Sequence, residues 1–407
     1  MTSARKSTLK KEECSMDTYS HRSNLKRILL PVTWLAVFSI FLAGCGLFAP
    51  IELVSTFEVP LSYVPTWTPT PFKDVEPTNT PLPTTVEKKL EGPTVLVCYI
   101  QGQYESGDDP IIQSGWDGLT QAEAELPVKI EWYDSIEAQE NAVIIEDAIS
   151  DGCELIITMG ADLIVAFEEA AGQNPEQHFA IIEYSSYDPL PNLMGVIFDI
   201  SEAAFLSGYV AAGTSQTGVV GTFGGMDIPY VTDAMDAFYY GVDYYNQQHE
   251  TNVQVLGRDP EAGTGSFVGN FISLEDGEAY AKDFVEQDAD IILPIAASIA
   301  RGAAVHCMET QACWVIGFDY DRNSDETDLS DIWLTSIERR LGVGMYYAVE
   351  QYVTGNFSGG NVFLDLAEGA VGLALFYDFE EIVPEDVIDA LPDLIDGIIA
   401  GEIQVIP

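Results

Sequence analysis

From Thr94 onward, short apolar runs alternate with segments of helical periodicity, and the alternation happens twice. "TVLVCYI" (94–100) is a continuous apolar run, as in a strand buried on both faces of a sheet. A helix is expected from Ile112 to Ala124, then a strand "VKIEWY" (128–133) and a helix over Ala138–Ser150. "CELIITMG" (153–160), a helix over Asp162–Gly172, and the strands "HFAIIEYS" and "LMGVIFDI" follow. The pattern restarts with a small-residue helix, Ala203–Gln216, and the strand "GVVGTFGG" (218–225). It continues through the helix Pro229–Gln247, the strand "VQVLGR", the helix Leu274–Gln287 and the strand "ADIILPIA" (289–296). Ser298–Thr310 is helical, "CWVIGFDYD" (313–321) a strand, and "IWLTSIERR" a strand leading into a helix that ends near Gly355.

Strands alternating with helices argue βαβ units, a parallel sheet and right-handed crossovers. Two such halves predict an α/β chain of two doubly wound parallel-sheet lobes. The expected lobes are 92–200 plus 333–357 and 201–332 plus 358–407, with the chain crossing near 200, 332 and 358. Open parallel sheets take ligands beyond the carboxyl ends of their strands, so a cleft between the lobes is the natural site. The loops that should line it are "QGQYESGDDP", "MGADL", "EYSSYDP", "GGMDIPY", "AASIARG" and "DYDRNSD".

Ahead of this region, Lys26 and Arg27 precede the apolar stretch Ile28–Ala43. The stretch falls short of the ~20 residues of a membrane span and has the parts of a secretory signal. Leu42-Ala43-Gly44-Cys45 resembles a lipobox, in which cleavage leaves a cysteine that receives a diacylglycerol. Residues 1–44 therefore read as a lipoprotein signal peptide with an extended N-terminus, Met16 being an alternative start. The alternative is an uncleaved signal anchor. Residues 45–91 read as the lipidated Cys45 and a Pro/Thr-rich tether, extended and spacing rather than packing. The expected location is the outer face of the cell membrane, held by a lipid anchor.

The formal net charge is −48. Seven of the 17 Lys and Arg precede Cys45, leaving 10 in the exported part against 62 of the 65 acidic residues. Such a field repels a phosphate backbone, so nucleic acid is excluded as a partner. Cys98 and Cys153 touch expected buried strands and read as small core residues. Cys307 and Cys313 bracket a helix-to-strand turn, where a disulfide is geometrically admissible. No Cys-x-x-Cys occurs and the four His are scattered, which speaks against a metal site, and no cofactor is expected.

From Thr94 to the end the chain resembles the basic membrane protein family of substrate-binding lipoproteins, whose best understood members are purine nucleoside receptors of ABC transporters. The resemblance is carried by "QSGWDGL" (113–119), "GCELIITMGADL", "HFAIIEY" with "PNLMGVIFD", "EAAFLSGYVAAGTSQTGVVGTFGGMDIPYV", "VIGFDYD" and "LTSIERR", in that order. It implies a type I periplasmic-binding-protein architecture with a hinge, and a permease and an ATPase as partners. Residue by residue, it implies ligand contacts at Asp108, Glu183 (where the family has Asp), Asp227, Phe238, Asp319 and Arg339 (where the family has Lys). Asp319 would accept bonds from ribose hydroxyls. The family's aromatic-asparagine pair is replaced here by Ile111 and Ile112, and a second base-stacking aromatic by Ala234.

The expected function is a lipid-anchored solute-binding protein that captures a nucleoside or related polar compound by hinge closure, not an enzyme. A ligand-sensing ectodomain is the alternative, since its binding physics is the same. An extracellular nucleoside-processing enzyme is disfavoured. Asp108 and Asp109 are adjacent on one loop, and neither a Gly-x-Ser-x-Gly elbow nor a phosphate loop occurs.

Overall fold

The computed structural model describes residues 92–105, 109–135 and 140–407. The signal segment, Cys45, the tether and Asp108 lie outside the described residues. The first lobe opens with β1 (Val95–Gln101), α1 (Pro110–Glu125), β2 (Val128–Asp134), α2 (Asn141–Ser150), β3 (Leu155–Thr158), α3 (Ile164–Gln173), β4 (His178–Ile182) and β5 (Leu193–Phe198). The second begins with α4 (Ser201–Thr214), β6 (Val219–Gly224), α5 (Pro229–His249), β7 (Gln254–Leu256) and the ribbon of β8 (Arg258–Asp259) and β9 (Thr264–Gly265). It continues through α6 (Leu274–Val285), β10 (Ile291–Ile295), α7 (Ile299–Thr310), β11 (Trp314–Asp319), α8 (Arg322–Asp325) and β12 (Trp333–Arg339). The chain returns to the first lobe for α9 (Leu341–Val353) and β13 (Gly360–Leu364), then to the second for β14 (Val371–Leu373) and α10 (Glu385–Ile399).

Each lobe has a six-stranded sheet, ordered β13-β5-β4-β3-β1-β2 in the first and β14-β12-β11-β10-β6-β7 in the second. Every pairing in the two sheets is parallel except β12 with β14. The apolar run of β1 has a direct cause. Val97 and Tyr99 enter the core on one face, Cys98 and Ile100 the core on the other, and all four are fully buried. Successive side chains of a strand point to opposite faces, so a strand covered on both sides has no polar position to spare.

Helix ends are specified locally. Asp109 caps α1, its carboxylate accepting from Ile111 N at 2.9 Å, with Pro110 in the first turn. The helix α4 has almost no polar face; twelve of its fourteen residues are buried, because α5, α10 and β14 enclose it. Close approach of α4 and α5 requires glycine on both. A Cβ at Gly208 would lie 2.1 Å from Phe238 O, and one at Gly241 2.0 Å from Phe205 O.

Three features depart from the expectations above. β12 pairs in register with β11, Asp319 opposite Glu338, so it completes the second lobe's sheet and the chain crosses only at Arg340, not near 332. β13 pairs with β5, so the third crossing falls at 365–370, not near 358. Cys98 and Cys153 are not free core thiols: a disulfide joins them, Cα atoms 5.7 Å apart, tying β1 to the turn before β3. A second disulfide joins Cys307 and Cys313, Cα atoms 4.9 Å apart.

Candidate functional site

The two sheets face each other with their strand carboxyl ends at a common cleft, and three of the expected residues meet there. Glu183 follows β4 in the first lobe, Asp319 ends β11 in the second, and Arg339 ends β12 beside the hinge. Arg339 donates to Asp319 Oδ1 from Nε at 3.0 Å and from Nη2 at 2.7 Å. Its Nη1 contacts Glu183 Oε1 directly. The guanidinium also lies 5.9 Å from the centroid of the Tyr230 ring, within cation–π range.

Burial pushes the Asp319 carboxyl up, to about 6, and the Arg339 guanidinium down, to about 10. The Arg322 charge offsets part of the rise at Asp319, and the Asp109 charge part of the fall at Arg339. Both carboxylates stand on left-handed backbone, φ 63° at Glu183 and 84° at Asp319. For a residue with a Cβ this costs about 1–2 kcal/mol, a strain that collects at functional positions. At Glu183 the bend is held by Val196 O, which accepts from Glu183 N at 2.8 Å and from Tyr184 N at 3.2 Å.

A cavity of about 1130 Å³, lined by Glu183 and Arg339 with Asp319 just outside its lining, runs along the hinge. Glu183, Asp199, Glu202, Tyr230, Asp233 and Arg339 supply its polar lining. Ile164, Ile197, Phe363, Val405 and Ile406 form an apolar arm. Burial, with Asp365, Asp199 and Glu368 nearby, pushes the Glu202 carboxyl up to about 7, partly offset by the bond it accepts from Leu366 N at 3.0 Å. Burial and the Asp236 and Asp199 carboxylates raise Asp233 as well.

Two expected site residues stand elsewhere. Phe238 is fully buried on α5, which packs against α4, and is outside the cavity lining. Asp227 is exposed in the turn before α5 and outside the cavity lining; its field acts on Arg258, which pairs with Asp236. Asp108 lies outside the described residues. Ile111 and Ile112 pack half-buried at the start of α1. Conversely, Asp199, Glu202, Asp233 and the C-terminal residues 403–407 line the cavity without lying in any of the expected lining loops. Nothing local marks these residues, which enter the cavity only through the hinge crossings and the path of the chain after α10. Tyr230 is different: it ends the expected lining loop "GGMDIPY" and does line the cavity. Among the described residues, no group of three or more His, Cys, Asp or Glu side chains is placed to hold a metal ion.

The comparisons agree with this geometry. A family model for PnrA-like ABC transporter substrate-binding proteins matches residues 95–406. Basic membrane protein A of Borreliella burgdorferi is 29% identical over 282 residues, covering 67% of this chain and 77% of that protein. A solute-binding protein of an ABC transporter system from Aeropyrum pernix superposes with a TM-score of 0.57 at 25% identity, over 78% of this chain and 94% of that one. Another from Conexibacter woesei, at 17% identity and a TM-score of 0.59 over 76% and 98%, shares the fold. The two solved structures are solute-binding proteins of the type I periplasmic-binding-protein fold, and the two lobes, hinge and cleft seen here are its parts. The chain belongs to the family of PnrA-like ABC transporter substrate-binding proteins.

Proposed function

We propose that this substrate-binding protein is held at the outer face of the membrane by a lipid on Cys45 and captures a nucleoside or a related hydroxyl-rich solute for a permease and its ATPase. The observation that carries the reading is the meeting of Glu183, Asp319 and Arg339 at facing strand ends beside a cavity of about 1130 Å³. Two carboxylates accept well from vicinal hydroxyls, in charge-assisted bonds stronger than neutral ones. A guanidinium offers a fork of donors to a carbonyl or ring acceptor. Tyr230, 38% exposed and lining the cavity, supplies an aromatic face where Ala234 and Phe238 supply none. Contacts from both lobes stabilise the closed form, so capture proceeds by closure about the three crossings. No bond of the ligand is broken.

Calorimetric titration of the exported domain against purine and pyrimidine nucleosides tests the reading. Saturable binding of at least one nucleoside, abolished or strongly weakened by Asp319→Ala, is the expected result. Flat heats across the panel remove the nucleoside, leaving the solute-binding role to another polar compound. Lipid attachment has its own check. Labelled palmitate should enter the expressed wild-type chain and not Cys45→Ala.

A further inference from the structure

The cavity has two unlike ends, and its apolar end is built from both lobes. Ile197 of β5 and Phe363 of β13 are register partners, so their side chains stand side by side on one face of the first sheet. Their chain neighbours Val196, Phe198 and Leu364 point the other way, into the core. Ile197 and Phe363 belong to neither core cluster of that lobe, and Phe363 is 63% exposed. Both line the cavity, as does Ile164 at the start of α3. The second lobe contributes the segment that follows α10, the helix packed on α4. Glu402 N and Ile403 N donate to Gly397 O at 2.9 and 3.1 Å, and beyond Ile403 no backbone hydrogen bond forms among the described residues. Val405 still packs half-buried against the core, and Ile406, 38% exposed, lines the cavity with it. The other end of the same cavity carries Glu183, Tyr230, Asp233 and Arg339.

We propose that this apolar end is a slot for a flat apolar group of the solute, with Phe363 stacking on its face and Val405 and Ile406 closing over it. This rests on the reading of the cavity as the solute site and names the form of the solute. Its hydroxyls lie at the Glu183 and Arg339 end and a planar ring at the other, as in a nucleoside whose base enters the slot. Binding pockets are mostly apolar wall with a few polar groups that fix orientation, and the two ends divide those tasks. Of the two exposed aromatics in the lining, Tyr230 faces the Arg339 guanidinium and Phe363 stands at the apolar end. Ala234 has no ring and Phe238 is buried, so α5 offers the cavity no stacking partner at those positions. Stacking on a phenyl ring is tolerant of which base it meets, because every base has a π face. The floor of the slot comes from the first lobe and its cover from the second. Filling it therefore ties the lobes together and favours the closed form.

Titration calorimetry on the full chain compares solutes that share hydroxyls and differ in the ring. Adenosine and cytidine are set against methyl β-D-ribofuranoside, and phenyl against methyl β-D-glucopyranoside. The ring-bearing member of at least one pair should bind more tightly than its methyl partner. Phe363→Ala should weaken it about five- to hundredfold, the range of a lost base stack. Ile406→Ser should weaken it in the same direction, and Phe363→Trp should keep the parent's preference. The methyl glycosides should bind both weakened variants as they bind the parent, a selectivity that general loosening of the fold does not produce. Both altered side chains are exposed, and circular dichroism melts matching the parent's establish that the variants fold; if Phe363→Ala does not, Ile406→Ser decides. A nucleoside bound equally by the parent and the folded variants overturns the slot and leaves the nucleoside reading standing. Equal loss for both members of a pair also overturns the slot. Phenyl glucoside binding that is lost in Phe363→Ala, with no heat from either nucleoside, upholds the slot and refutes the nucleoside. Flat heats with every solute overturn both.

Discussion

At Asp319 a carboxylate, a left-handed backbone and a paired guanidinium coincide. Bonds to a charged acceptor contribute about 1.5–3 kcal/mol each, so Asp319→Asn should weaken ligand binding roughly ten- to hundredfold, measured by titration calorimetry. The resemblance to the basic membrane protein family pointed to such residues, and the strand pattern agreed in placing Asp319 at the end of an apolar strand, where an open α/β sheet takes its ligand. Phe238 misled for a related reason. An aromatic on an amphipathic helix reads equally as a stacking ring or as core, and only the packing of α5 on α4 shows that it is core. Asp227 lies on a correctly expected loop, but nothing in the sequence says which way a four-residue turn aims a side chain.

Elements carry the stability predictions. Gly241→Ala drives a methyl group into Phe205 O and separates α4 from α5; it should cost about 1–3 kcal/mol in a denaturant titration, as overpacking does. The two disulfides differ in the chain they close. By loop-closure entropy the Cys98–Cys153 bridge, 55 residues apart, is worth about 4 kcal/mol and the Cys307–Cys313 bridge, 6 apart, about 2. Replacing both cysteines of the first pair by Ala should therefore lower the denaturation midpoint more than replacing both of the second. Sequence alone does not show the first pairing, because Cys98 lies in β1 and Cys153 in the turn before β3, and their distance is set by the pairing of β1 with β3. The hinge crossings moved for the same kind of reason: which lobe owns β12 is decided by its pairing with β11, not by its own residues.

At the scale of the whole molecule, acidic groups gather where the lobes meet. Glu202, at the first crossing, accepts from Leu366 N of the third, with Asp199, Asp365 and Glu368 nearby. Its folded pKa of about 7 lies above the ordinary carboxylate value of 4.5, so the folded protein holds this proton more tightly than the unfolded chain. The stabilising contribution is fully present below about pH 4.5 and is lost as pH rises through about 7. Wild type should lose more thermal stability between pH 5 and 8 than Glu202→Gln, by on the order of 1–3 °C in a circular-dichroism melt. The half-exposed setting of Glu202 keeps the difference small.

By itself the sequence determined that the folded region is two alternating αβ halves with parallel sheets, since strands enclosed on both faces must be apolar and helices between them must be periodic. It also determined that Glu183, Asp319 and Arg339 stand at the ends of strands. Tertiary structure alone decided that one guanidinium joins the carboxylates of both lobes, that Cys98 meets Cys153, and that Asp199, Glu202 and Tyr230 share a cavity with residues after α10. These are contacts between segments far apart along the chain. Strand order and the hinge bring them together, and neither is encoded in any local run of residues.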